Sequence, residues 1–248
     1  MKKIFFYCLF ALTSLTSLSQ TNKVALTHSV YSTWNDVTSP SISNDGQWVF
    51  YEINPQDGDG CLWLSKADKS IQRSIDRGHK AAISANSNFL VYQIKPFKSA
   101  TRKAKLDKKK KEDMPKDSVA LFTIGSQKSL AWGKVKSYKL AEKGGDWVAI
   151  LLEEGKKDGQ TPNDSTKSEE RKATKKSSKS DKNEKAGTLF IVNPLTDQKF
   201  EFGKVTDYTV SKDGSQFLFA SISDDSLKNC IINIFDTKKA ESKVVFSQ

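Results

Sequence analysis

The sequence predicts an all-β fold, a β-propeller with about four four-stranded blades, and three observations lead to this fold class. First, a strand, a tight turn and a strongly apolar strand recur four times along the 248 residues. Second, the copies lie about 40 residues apart once two charged insertions are set aside, which is the length of a propeller blade. Third, Gly, Pro, Asn and Asp separate short strands throughout. The blades are expected at 37–79, 80–133, 134–203 and 204–248.

The turns between the first and second strands carry the clearest local signal. SISNDGQWVFY (residues 41–51) and TVSKDGSQFLFA (residues 209–220) each place Asp-Gly between two apolar strands. Gly accepts the positive φ of a hairpin turn and Asp bonds its own backbone, so Asp-Gly suits this position. The second copy offers Asn86 and Ser87, and the third a Gly pair. We assign a structural role in the blade turns to Asp45, Gly46, Gly144, Gly145, Asp213 and Gly214.

The alternative fold is a two-sheet β-sandwich, whose strands are also short and regular. A sandwich gives no reason for equal repeat lengths, and the propeller does. The strand after the first turn has Trp48 and Phe50 on one face, and Val49, Tyr51 and Ile53 on the other. A strand that is apolar on both faces is expected between two layers, as in the middle of a propeller.

The N-terminus resembles an export signal. Lys2 and Lys3 precede an apolar run over residues 4–18, and a small-residue cleavage site follows near Ser19-Gln20. The run is short for a membrane span, which needs about 20 apolar residues, although a retained anchor is the alternative. We expect a signal peptide at 1–19, a lead-in segment at 20–36, no stable membrane insertion, and a periplasmic or secreted protein.

Two cysteines remain after this cleavage, Cys61 and Cys230, each at the start of a third strand. Export permits a disulfide. Equivalent points on non-adjacent blades are far apart, however, and a bridge needs Cα atoms within about 7 Å. We therefore expect two free, buried thiols.

The formal charge of +11 is confined to a few segments. Residues 98–116 carry nine basic and three acidic side chains, and residues 156–185 carry ten and six. These charges fall in two insertions, 98–117 and 155–186, each between a second and a third strand. Neither mixes aromatic and basic residues as single-strand binding grooves do. We expect solvated loops, the second disordered and the first with a short helix before Pro115. No nucleic-acid partner is expected, and weak contact with anionic surfaces is possible.

No arrangement of residues typical of catalysis, cofactor binding or metal binding is found in the sequence. G-x-S-x-G, P-loop and dinucleotide motifs are absent. His28 and His79 have no companions that suggest a triad, and each is expected to be structural or exposed. Asp57 and Asp59 lack the spacing of a calcium loop and are assigned to turn chemistry. We therefore predict no catalytic, cofactor or metal site.

Three segments nevertheless resemble one family. HSVYSTW (residues 28–34), SNDGQWVFYEINPQDGDG (residues 43–60) and RKAKLDKKKKEDMPKDS (residues 102–118) are similar to the start of large exported bacterial serine peptidases of the prolyl oligopeptidase family. The resemblance implies a seven- or eight-bladed propeller that precedes and caps an α/β-hydrolase domain, and admits peptide substrates. The catalytic Ser, Asp and His of that domain have no counterparts in this sequence. The chain is thus expected to be the first four blades and inactive alone.

Two further expectations follow from this resemblance. Dipeptide-releasing members of the family use a Glu pair on the propeller, and Glu153-Glu154 matches by type. This pair runs straight into the second insertion, so we do not assign it that role, which requires a rigid support. The alternative function is a stand-alone four-bladed propeller that binds a peptide or protein in the periplasm, and it requires the first and fourth blades to pair.

Overall fold

The computed structural model describes residues 27–32, 34–153, 186–223 and 229–247. The predicted signal peptide and residues 155–185 of the second insertion lie outside these ranges. None of the helices in the described ranges is long and apolar enough to cross a bilayer.

Fifteen strands, all paired in antiparallel fashion, form the described structure. The predicted all-β propeller class is confirmed: blade after blade is a meander of four strands. The elements, in chain order, are α1 (His28–Tyr31), β1 (Asn35–Ile42), β2 (Trp48–Pro55), β3 (Cys61–Lys66), β4 (Gln72–Asp76), β5 (Gly78–Ile83), β6 (Phe89–Ile94), α2 (Lys98–Leu106), β7 (Ser118–Thr123), β8 (Ser129–Trp132), β9 (Val135–Leu140), β10 (Val148–Glu153), β11 (Gly187–Asn193), β12 (Gln198–Val210), β13 (Gln216–Ile222), β14 (Cys230–Asp236) and β15 (Glu241–Ser247).

Blades 1 and 2 are separate sheets, β1-β2-β3-β4 and β5-β6-β7-β8, whereas blades 3 and 4 share a strand. The N-terminal half of β12 pairs with β11 as the outer strand of blade 3. Its C-terminal half pairs with β13 as the inner strand of blade 4, and a register shift separates the halves. The result is one seven-stranded sheet, which the sequence-based description of separate four-stranded blades did not include.

One conformation recurs at each passage from one blade to the next. Arg77, Lys134 and Lys204 stand at the three blade junctions with φ of 59°, 57° and 55°. Non-glycine residues adopt this left-handed region uncommonly. Each lies where the chain passes from the outer strand of one blade to the inner strand of the next, and at Lys204 this passage occurs within the single strand β12.

The core consists of three apolar layers, one between each pair of consecutive blades. The layer between blades 1 and 2 includes Phe50 and Leu90, and that between blades 2 and 3 includes Val91 and Ile150. The layer between blades 3 and 4 is the most aromatic. Its large side chains are Trp147, Tyr208, Phe217, Phe219 and Phe235, with Phe200 and Phe202 packed against them.

The two middle blades differ from the end blades in burial. Strand β6 is buried at every position from Phe89 to Gln93, on both faces, as expected of a strand between two layers. Strand β2 is instead buried at alternate positions, Trp48, Phe50 and Glu52. The prediction of a two-sided strand is thus wrong for blade 1, because only blade 2 covers it.

The outer faces of both end blades are apolar and open. On blade 1 Val37 and Ile42 are 63% and 62% exposed, and on blade 4 Leu218 and Phe246 are 39% and 47% exposed. Pairing of blades 1 and 4 into a closed four-bladed ring would bury these side chains. The described blades therefore form an open arc, not the closed ring that the stand-alone alternative requires.

Both cysteines are free, as predicted, and each is the first residue of a third strand, β3 or β14. The prediction that they are buried is wrong. Cys61 is partly exposed and Cys230 is exposed. Each belongs to an end blade, where the face that carries it has no neighbouring layer.

Candidate functional site

The propeller presents two rims. The turn rim carries the turns between the first and second strands of each blade, at residues 43–48, 84–89, 141–147 and 211–216. The insertion rim, on the opposite side, carries the connections between second and third strands, including the first insertion. The turn rim contains the residues that the sequence singled out.

Blades 1 and 4 close their turns with the same hydrogen bonds. The Asp213 carboxylate accepts from the Ser211 hydroxyl (2.6 Å) and from the backbone N–H of Ser215 (3.1 Å). Asp45 bonds Ser43 and Gln47 in the equivalent way. The following glycines, Gly46 and Gly214, have φ of 70° and 71°. These contacts are local, so both Asp residues act on their own turns.

These hydrogen bonds stabilise the charged form of each carboxylate. They lower the pKa of Asp213 to about 2, with the Ser211 hydroxyl as the largest cause. The pKa of Asp45 is lowered for the same reason, chiefly by the Ser43 hydroxyl. Because both side chains are solvent-exposed and bond within their turns, the lowered pKa values accompany turn geometry, not catalysis.

A serine at the start of the turn is a signal that the sequence reasoning missed. The hydroxyls of Ser43, Ser84 and Ser211 accept from the backbone N–H five residues later, at distances of 2.9, 3.3 and 3.0 Å. Blade 3 has Ala141 at this position and closes its turn with Gly144 and Gly145 instead.

Neighbouring turns contact each other around the rim. Asn44 Nδ2 donates to the carbonyl of Ala85 (3.0 Å), and Asn88 Nδ2 donates to Asp146 Oδ1 (3.0 Å). Between blades 3 and 4 the backbone N–H of Lys143 donates to the carbonyl of Lys212 (2.8 Å). The structure thus brings Gly144 and Gly145 together with Asp213 and Gly214, while Asp45 and Gly46 lie in blade 1, away from them.

The insertion rim is organised by α2, the helix that the sequence placed before Pro115. The backbone N–H of Lys98, in its first turn, donates to Asp59 Oδ1 (2.8 Å), and Lys98 Nζ pairs with Asp57 Oδ1 (2.5 Å). The ammonium of Lys98 lowers the pKa of Asp57. Asp57 and Asp59 therefore do more than form a turn, because they attach the first insertion to blade 1.

A cavity of about 310 Å³ lies beside this attachment, where blade 1, blade 2 and α2 meet. Its charged lining residues are Asp59, Arg77, Lys95 and Lys98. Sequence reasoning found neither Arg77 nor Lys95, since each lies among ordinary loop residues. Their positions are the only signal in the sequence: Arg77 lies at a blade junction, and Lys95 lies shortly before the first insertion.

His79 is buried beside a partner that the sequence did not reveal. Its Nε2 lies 3.1 Å from Asp117 Oδ2, on the other side of the insertion. Burial lowers the pKa of His79, and the Asp117 carboxylate opposes this effect. Glu52 accepts from the backbone N–H of Lys80 nearby (2.8 Å). His79 is thus structural, as expected, whereas His28 is exposed and stacks edge-on with Tyr31.

The remaining candidates lie apart from one another. Glu153 is exposed and pairs with Lys116 (3.1 Å), and its neighbour Glu154 is outside the described residues. Within the described ranges no group of three or more His, Cys, Asp or Glu side chains could hold a metal ion.

The chain is similar to several solved structures, all at low sequence identity. No family model matches the chain, and no curated protein matches it in sequence. Among solved structures, it is similar to the β-propeller domain of the Trilobed protease from Pyrococcus furiosus (TM-score 0.46, 10% identity, 86% of this chain and 58% of that one). It is also similar to the acylaminoacyl peptidase of Pyrococcus horikoshii (0.44, 8%, 86% and 32%) and to prolyl endopeptidases (0.42, 11%, 88% and 30%).

The fold is that of a β-propeller. The similar structures include propellers of prolyl oligopeptidase-family peptidases, at low sequence identity. This chain spans between 30% and 58% of the length of the three structures named.

Proposed function

We propose that the chain is the N-terminal propeller portion of an exported serine peptidase of the prolyl oligopeptidase type. In the complete enzyme the propeller would limit substrate access to a catalytic domain. The chain alone would have no peptidase activity. The observation that carries this proposal is the open, apolar outer face at each end of the arc of blades.

The residues on these outer faces are of the same apolar types that fill the layers between neighbouring blades. On blade 4, strand β13 turns Phe217 and Phe219 toward blade 3 and Leu218 away from it. The outward face of blade 4 also includes Ile232, Ile234 and Phe246, through their pairing across the sheet. An exposed apolar face of this extent is typical of an interaction surface. Further blades of the same propeller would bury it as blade 4 buries blade 3.

The first insertion supports a gating role. It lies on the insertion rim, folds as α2 and is fixed to blade 1 by Asp57 and Asp59. In the complete enzyme this insertion would narrow the approach to a domain mounted on the same rim. We also propose that the N-terminal signal directs export of the protein.

The experiment compares this chain with a longer product that includes the coding sequence downstream of Gln248. A fluorophosphonate probe should label one serine in the longer product and none in this chain. Labelling of this chain would overturn the claim that it is inactive. A longer product that contains no reactive serine, or that lacks further blades, would overturn the assignment to a peptidase.

A further inference from the structure

The cavity between blade 1, blade 2 and α2 has an unbalanced positive charge. We call it the Arg77 cavity, and its lining includes Asn54, Pro55, Asp59, Arg77, Lys95 and Lys98. Lys98 is paired with Asp57. Neither Arg77 nor Lys95 forms an ion pair with another residue of the described structure. A cation that lines a cavity and forms no ion pair is a candidate for binding an anion.

Arg77 is held firmly in place. Its guanidinium lies over the Phe97 ring, 3.7 Å from the ring centroid, and Nη1 donates to the carbonyl of Lys95 (2.9 Å). Its backbone N–H donates to the carbonyl of Gly60 (2.7 Å). Its Nε is enclosed and has no hydrogen-bond partner in the described structure. The guanidinium is therefore pre-oriented but not fully satisfied, which reduces the entropy cost of binding a ligand.

The backbone around the cavity is also held in place. The backbone N–H of Lys95 donates to the carbonyl of Arg77 (2.9 Å), and α2 is held to the 54–60 loop through Asp59. The cavity is therefore a formed feature of three connected segments. Its volume lies at the lower end of the range for small-molecule sites, which begins at about 300 Å³.

The surrounding charge favours the same class of ligand. Residues 98–116 carry nine basic and three acidic side chains, and α2 exposes Arg102, Lys103 and Lys105 beside the cavity. A field of this sign raises the local concentration of anions and accelerates their association. Pro55 and Pro96 add apolar surface next to the cationic groups. A carboxylate attached to an apolar residue uses both features, whereas inorganic phosphate uses only the charge.

We propose that the Arg77 cavity binds the C-terminal carboxylate of a peptide. The carboxylate lies against Arg77 and Lys95, and the last side chain packs on the proline-lined wall. This proposal does not depend on the assignment to a peptidase, since it concerns a site formed wholly within this chain.

The test is a titration of this chain with N-acetyl-Ala-Phe carrying a free carboxylate, followed by two-dimensional NMR. Gly58, Gly60 and Gly78 line the cavity and report through their backbone amides. The expected result is a set of shifts at these amides with a dissociation constant of about 1 mM or lower. The same peptide as a carboxamide should bind at least about tenfold more weakly, because its charge is lost. Equal binding of the two would overturn the proposal, as would equal binding of inorganic phosphate.

Variants locate the site. Arg77→Gln should weaken binding of the free carboxylate by about ten- to one-hundredfold, and Lys95→Gln by a smaller factor. The matched control is Lys105→Gln, which removes one positive charge from the exposed face of α2 and should change affinity less than about threefold at 0.15 M salt. If Lys105→Gln weakened binding as much as Arg77→Gln, the interaction would be a diffuse charge effect and the cavity proposal would fail. Lys95→Gln changes an exposed side chain, so it tests the site even where Arg77→Gln lowers stability.

Discussion

Gly145 and Gly214 lie against each other where the turns of blades 3 and 4 meet. A Cβ added to Gly145 would be 3.3 Å from the Cα of Gly214, and one added to Gly214 would be 2.9 Å from both the Gly144 carbonyl oxygen and Ala141 Cβ. Both residues have positive φ, 89° and 71°. Two glycines are thus required at this contact for space as well as for backbone conformation.

The first prediction concerns Gly214→Ala. The substitution adds the left-handed penalty of roughly 1–2 kcal/mol to a steric cost of about 1–3 kcal/mol against Ala141 and Gly144. We expect the free energy of unfolding to fall by about 2–5 kcal/mol, measured by urea denaturation. The matched control is Gly46→Ala, whose φ is 70° but whose added Cβ meets nothing within 4 Å. Gly46→Ala should lower the free energy of unfolding only by the left-handed penalty. An equal loss of stability in both variants would contradict the close contact of Gly214 with Ala141 and Gly144.

The features of this fold that depend on neighbouring residues could be predicted from the sequence. Strand periods and Asp-Gly turns depend on neighbouring residues, so the blades and the turn residues Asp45 and Asp213 could be recognised. The signal at Ser43 and Ser211 was present too, two positions before each Asp, but it required knowledge that the hydroxyl bonds a backbone N–H five residues later.

Features that depend on distant parts of the chain could not be predicted. Asp117 reaches His79 across 38 positions, and the Arg77 cavity is formed by segments of two blades and α2. Whether Tyr51 is buried depends on which blades pack against blade 1, and the residue types in the strand do not reveal this. The continuity of β12 through the left-handed Lys204 depends on its pairing with both β11 and β13, and a lysine in the sequence indicates neither the pairing nor the conformation.

The second prediction concerns acid stability. The pKa of Asp213 is lowered from 3.8 to about 2 in the folded chain, so the unfolded state binds more protons in this range. The contribution of Asp213 is therefore present above pH 3.8 and lost as the pH falls toward 2. The melting temperature of Asp213→Asn should lie below that of the original chain at pH 5, and the difference should shrink toward pH 2. A difference in melting temperature that stays constant between pH 5 and pH 2 would refute the linkage.

The third prediction concerns His79. Burial lowers its folded pKa below 6.5, while Asp117 and Glu52 favour the charged form and Lys80 and Lys95 oppose it. The unfolded state thus binds the proton first, so the stability contributed by His79 is complete above pH 6.5 and declines below it. Comparison with His79→Gln should show this decline only in the original chain.

The same site can be followed directly by NMR, because the chain contains only two histidines. Asp117→Asn removes the nearest negative charge, so the pKa of His79 should fall further. A rise in the pKa of His79 in Asp117→Asn would show that the pairing is not the one described.

The last prediction tests whether the outer face of blade 4 is open, using two Leu→Ala substitutions. Leu189 is fully buried in the layer between blades 3 and 4, and Leu218 is 39% exposed on the outer face. Leu189→Ala should lower the free energy of unfolding by about 2–5 kcal/mol, because it removes a buried side chain and leaves a cavity. Leu218→Ala should cost less than about 1 kcal/mol in this chain, since little packing is lost there. If Leu218→Ala were as destabilising as Leu189→Ala, another layer would already cover blade 4, and the open arc of blades would be excluded. In a longer product with further blades, the cost of Leu218→Ala should rise toward that of Leu189→Ala, because the added blade would bury Leu218 in a new layer.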